Sequence, residues 1–180
     1  MLTDSARSCL LVVDVQERLA PAVLHPGGVV GRVKTLMQAA NRLAVPKLIS
    51  EQYPKGLGRT VPELAPLLGN APVVEKIHFS CAEEPTYLRA LEALDRDLLV
   101  VCGMEAHVCV LQTALGLAEA GYHLAVVADA VGSRRERDHD AALDRMRAEG
   151  LSIVTTEMVV FEWLGQAGTP EFKELSALIK

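Results

Sequence analysis

Residues 97–110 read Asp97-Leu98-Leu99-Val100-Val101-Cys102-Gly103-Met104-Glu105-Ala106-His107-Val108-Cys109-Val110, and within them the hydrophobic period changes. Over 97–103 the apolar residues are nearly continuous, as in a strand covered on both faces. Over 107–120 they follow helical spacing, so the stretch reads as one strand feeding one helix. The alternation repeats on either side. Strands are expected at 9–15, 45–50, 73–76, 97–103, 123–128 and 151–155. Helices are expected at 29–44, where Val33, Leu36, Met37, Ala40 and Leu43 form one face, and at 85–94 and 107–120. A further helix is expected over 133–148, with Ser133 and Glu136 at capping-box spacing and Gly150 as its stop, and a last one from Pro170. Strands alternating with helices predict a three-layer αβα fold around a central, mostly parallel six-stranded sheet, Rossmann-like in type. The 180 residues suit a single domain, 1–180.

Half of the residues are hydrophobic and mean hydropathy is +0.22. The longest apolar runs, 10–13 and 98–104, are nevertheless far below the roughly 20 residues of a spanning helix, so no membrane partner is expected. A net charge of −5 argues against nucleic acid or anionic lipid, both of which need dense Lys and Arg. Residues 1–7 carry Asp4 and lack a basic segment leading into an apolar one, the reading expected of a cytoplasmic protein. Cys9, Cys81, Cys102 and Cys109 show neither C-x-x-C nor His/Cys ligand spacing, so free thiols are expected rather than zinc or disulfides. The segment 52–72 holds four prolines and three glycines. It follows a strand end, and an active-site wall is expected there.

Ligands of open parallel sheets bind beyond the carboxyl ends of the strands, which directs attention to polar residues that interrupt apolar runs. Asp14 ends the run 10–13, Lys76 follows the run 71–74, and Cys109 falls in the first turn of the helix after the fourth strand. Each has a plainer reading: a capping Asp, a solvated Lys, a small buried Cys. Together they offer a base, an ammonium and a thiol, the last favoured as thiolate by amides at a helix start. The run 134–140 of mixed charge reads as a solvated helix face, and His107 and His139 read as structural. Trp163, within the apolar stretch 155–164, belongs to the core or to a subunit interface.

Three blocks, Leu11-Val12-Val13-Asp14-Val15-Gln16, Glu75-Lys76 with Phe79-Ser80, and Gly103-Met104-Glu105-Ala106-His107-Val108-Cys109-Val110, resemble the isochorismatase-like cysteine hydrolases across essentially the whole chain. The segment Ser50-Glu51-Gln52-Tyr53-Pro54-Lys55-Gly56-Leu57-Gly58 is similar to the branch of isochorismatase domain-containing proteins. The resemblance implies a catalytic triad of Asp14, Lys76 and Cys109, a cis peptide at Met104–Glu105, and an oxyanion hole from the amides of Glu105 and Cys109. Gln16, Gln52, Tyr53, Phe79 and Met104 would line the substrate pocket. The metal-binding nicotinamidase branch places an Asp and two His after the second strand, where this chain has Glu51, Gln52 and Tyr53; no metal and no cofactor are therefore expected. The implied activity is amide-type hydrolysis of a small molecule through a Cys109 thioester, by a homo-oligomer of two or more copies. Two alternatives stay open: a thiol redox protein pairing Cys109 with Cys102 or Cys81, and a non-catalytic metabolite-binding or scaffold protein.

Overall fold

Six apolar runs become β1 (Ser8–Val13), β2 (Lys47–Gln52), β3 (Val73–Lys76), β4 (Leu98–Met104), β5 (His123–Gly132) and β6 (Ser152–Val154) in a computed structural model that describes residues 1–179. They form one sheet, ordered β3-β2-β1-β4-β5-β6, in which every pairing is parallel. Parallel strands are covered on both faces, and alternate side chains accordingly enter two cores. Leu10, Val12, Val100, Cys102 and Met104 pack toward α1 (Pro26–Arg42) and α6 (Thr156–Leu164), with Leu175 of α7 (Pro170–Leu175) completing that side. Cys9, Leu11, Val13, Leu99 and Val101 pack toward α3 (Pro85–Glu92), α4 (Leu111–Glu119) and α5 (Glu136–Ala148). The expected three layers are present.

From β1 the chain builds outward through β2 to β3, then returns to the other side of β1 with β4. Such a reversal leaves a crevice at the carboxyl ends of the two diverging strands, here β1 and β4. Gly103 sits at that point, opposite Val13, with φ +124. A Cβ at Gly103 would lie 2.0 Å from the Val13 carbonyl oxygen, so only glycine permits this approach.

Some boundaries differ from the sequence reading. α1 starts at Pro26, because proline suits the first helical turn. Gln52 is the last residue of β2, and the segment after it holds a one-turn helix, α2 (Pro54–Leu57), and a 3-10 turn at Ala65–Leu67. β5 continues to Gly132, and its register with β4 shifts between Val101 and Gly103. The Ser133–Glu136 capping box is absent. α5 begins at Glu136 with Arg135 as N-cap and no side-chain cap, because the Ser133 hydroxyl is engaged 2.9 Å from Nδ1 of His107. Trp163 is a core residue, donating from Nε1 to Ser8 Oγ at 3.1 Å. No helix among the described residues is long and apolar enough to cross a membrane.

Candidate active site

Asp14 leaves β1 in a left-handed conformation, φ 52, and its amide donates to the Ser50 carbonyl at 3.2 Å. Its carboxylate is fully buried, where an unpaired charge would cost several kcal/mol. Both oxygens are matched. Ser50 Oγ donates to Oδ1 at 2.6 Å, and Lys76 Nζ, from the last residue of β3, donates to Oδ2 at 2.7 Å. The Lys76 ammonium also lies 2.7 Å from Gln52 Oε1, 3.1 Å from the Phe79 carbonyl and 3.2 Å from that of His78. Burial alone would pull the Lys76 pKa down, but the Asp14 charge and hydrogen bond hold it above its ordinary value. Lys76 is therefore held as the ammonium.

Cys109 arrives from the other side of the crevice. The Met104–Glu105 peptide is cis, and the chain then makes a π-turn, Ala106–Val110, ahead of α4. The Glu105 carbonyl accepts from the amides of Val108 (3.0 Å) and Val110 (3.2 Å), bypassing the Cys109 N–H between them. The Cys109 side chain belongs to the core on the α4 side and retains 5% exposure. It lies within electrostatic reach of both Asp14 and Lys76: burial pushes the thiol pKa up, the Asp14 charge adds to this, and Lys76 opposes it. The thiolate favoured by a helix start is thus corrected to a neutral resting thiol, because desolvation at this buried turn outweighs the amides and Lys76.

The expected pocket residues divide. Tyr53 and Phe79 are exposed. A cavity of about 360 Å³ opens at Tyr53, lined also by Lys55, Glu75, Lys76, Ile77 and Glu84; Phe79, Asp14 and Cys109 do not line it. Gln52 faces inward, its Oε1 on Lys76 and its Nε2 donating to the Ile77 carbonyl at 2.9 Å, so it holds the ammonium. Gln16 is fully buried; its Nε2 donates to the carbonyls of Gln52 (3.0 Å) and Gly58 (2.7 Å), while Oε1 accepts from the Gln52 amide at 2.7 Å. Every polar atom of that side chain is spent on joining β2 to the loop after it. Met104 is buried in the α1-side core, the opposite layer from Cys109. Gln16 and Met104 therefore have packing roles in place of the expected pocket roles. Cys81 opens a 3-10 turn, Cys81–Glu83, fully buried, with its thiol pushed up to about 11 chiefly by burial.

Glu51, at the place where a metal ligand would fall, is also occupied. Its carboxylate accepts from the Thr60 amide (2.7 Å), Thr60 Oγ1 (2.8 Å) and Arg59 Nη1 (2.9 Å). Among the described residues no cluster of three or more His, Cys, Asp or Glu is arranged to hold a metal ion.

Asp14, Lys76 and Cys109 thus stand around the switch point of a parallel sheet, and residues 8–158 match the isochorismatase domain. The chain belongs to the isochorismatase family. It is 39% identical to isochorismatase domain-containing protein 2 of Danio rerio over 96% of its own length and 86% of that relative. It is 37% identical to isochorismatase domain-containing protein 1 of Salmo salar over 97% of its length, and spans 62% of that longer relative. The structure of MAR1 ribonuclease from Caenorhabditis elegans is similar at 36% identity and TM-score 0.93, covering 99% of this chain and 92% of that one. The YcaC protein of Escherichia coli, an octameric hydrolase of unknown specificity, is similar at 25% identity and TM-score 0.92, covering 97% and 89%.

The isochorismatase-family site contains contacts that the sequence reading missed. Ser50 on Asp14 is one. The β5–α5 connection supplies two more: Ser133 against His107, and Arg134, whose Nε donates to Glu105 Oε1 at 2.7 Å. Arg134 remains largely exposed, as expected of a solvated run, while pairing with the residue that opens the turn carrying Cys109. Ser50 carries the signal that singled out Asp14, a polar residue after an apolar run at a strand's carboxyl end. Arg134 carries none, since its partner is 29 residues away.

Proposed function

We propose that this isochorismatase-family hydrolase is a metal-independent cysteine hydrolase of small amides or related C–N and ester substrates, working through a Cys109 thioester. One observation carries the reading: a fully buried Lys76–Asp14 pair of 2.7 Å beside the buried Cys109 thiol, whose ionisation both charges influence. Asp14 takes the thiol proton as sulfur attacks the carbonyl carbon, which matches a thiol that is neutral at rest. The Glu105 and Cys109 amides receive the developing oxyanion, the latter being free of the Glu105 carbonyl. The C–N bond breaks, and the amine leaves with the proton held by Asp14. Water then adds to the thioester, Asp14 accepting its proton; the acid departs and sulfur recovers a proton. Lys76 stays charged throughout and holds Asp14 Oδ2 at 2.7 Å.

A nucleophile with only 5% exposure suits a small substrate. The similarity to a ribonuclease raises RNA as a substrate, but the net charge of −5 disfavours a polyanion and leaves a small molecule as the better fit. No metal takes part in this reading, Glu51 being satisfied by Thr60 and Arg59. The chain acts as a single domain, 1–180, in a cytoplasmic homo-oligomer of two or more copies, the assembly resting on likeness to an octameric protein.

The test is a panel of small amides and esters, with an RNA oligonucleotide, on wild type and Cys109→Ala, with and without exhaustive chelation. The expected outcome is amide or ester turnover that survives chelation and falls at least about a thousandfold in the variant. Variant activity within tenfold of wild type, or loss on chelation restored by zinc, overturns the reading. Disulfide exchange without hydrolysis moves the assignment to a thiol redox protein, and ligand binding without either moves it to a scaffold.

A further inference from the structure

We propose that Ser50 is a positioning residue for the Asp14 base, an assignment that rests on the Asp14–Lys76–Cys109 reading above. Ser50 pairs with Val13 in the β1–β2 register, one residue before Asp14, and is fully buried. It grips Asp14 twice. Its carbonyl accepts the Asp14 amide at 3.2 Å, just where the backbone turns left-handed, and its Oγ donates to Asp14 Oδ1 at 2.6 Å.

A carboxylate held only by Lys76 could swing about its Cβ–Cγ bond and present either oxygen to the ammonium. With Ser50 on Oδ1 and Lys76 on Oδ2 each oxygen has its own donor, and the plane of the group is fixed. A fixed plane presents the same remaining lone pairs to a proton donor at every turnover, the condition for transfer in step with attack. Ser50 has one hydrogen to give, and it is committed to the base. The hydroxyl lies beside Cys81 and touches no substrate in this role; it acts through Asp14.

The experiment compares wild type, Ser50→Ala and Ser50→Thr by the rate at which iodoacetamide alkylates Cys109 at pH 7, resolved by peptide mass spectrometry, and by small-amide turnover. Ser50→Ala should slow alkylation about tenfold and lower kcat about tenfold with KM unchanged, while Ser50→Thr, which keeps the hydroxyl, restores both to within about threefold. Alkylation of Ser50→Ala at the wild-type rate overturns the assignment. So does a parallel loss in both variants that tracks their melting temperatures, the pattern of a packing defect. Cys109→Ala separates the two readings: turnover that survives it sinks the nucleophile itself, whereas its inactivity beside an unimpaired Ser50→Ala sinks only the role of Ser50.

Discussion

A carboxylate with no water to turn to must be answered by the chain, and around Asp14 the answer comes from three strands: β1 supplies the acid, β2 the Ser50 hydroxyl, β3 the Lys76 ammonium. Because both side chains of the ion pair are wholly buried, removing one partner strands the other. Lys76→Met should destabilise the protein by about 3–5 kcal/mol, and Asp14→Asn combined with it should recover much of that loss. Urea denaturation of the two variants measures this; additive losses would mean that the charges do not compensate one another. The three chemical residues were legible as polar interruptions of apolar runs, since desolvation makes such residues conspicuous. Their partners were not, because pairing depends on register: Gln16 and Gln52 look like pocket residues in sequence, and only the fold shows their amides spent on the loop and on Lys76.

The strands themselves were the easiest elements to read, being apolar runs with few competing interpretations. Their ends were harder, because a helix start depends on which side chain is free to cap it. Ser133 has the right spacing for α5 but serves His107. The helix expected at 107 is preceded by a π-turn, which no periodicity of apolar residues reveals. At the β1–β4 crossing the constraint is steric. Gly103→Ala places a Cβ against the Val13 carbonyl at a φ that side chains rarely adopt, and should cost at least about 3 kcal/mol. It should also spread Asp14 from Cys109, so turnover falls more than thermal stability predicts. Melting temperature and turnover measured together check this, and an Ala variant with native values of both would show that the crossing tolerates a side chain.

Taken as one molecule, the protein keeps its cysteines as buried thiols, each held above its ordinary pKa mainly by desolvation, with Cys81 near 11 and Cys9 near 12. Unfolded thiols ionise near 8.5, so between that pH and about 11 the unfolded state has lost protons that the folded state retains. Stability must then fall as pH rises, by up to about 1.4 kcal/mol per unit for each thiol. The raised Lys76 pKa adds to the same trend above about 10.5, where an unfolded lysine loses its proton. Urea midpoints from pH 7 to 10.5 should decline, and Cys102→Ala should flatten the decline; a level profile contradicts the burial argument. The sheet order carries a further consequence. β1 and β4 have neighbours on both sides, whereas β3, the strand bearing Lys76, is a four-residue edge held by β2 alone. Edges fray at lower cost than interiors, so turnover should vanish at urea concentrations below the far-ultraviolet circular dichroism transition, and β3 amides should exchange with deuterium before those of β1. The ammonium stands at the hem of the sheet and the acid in its weave, so activity can unravel while the cloth holds.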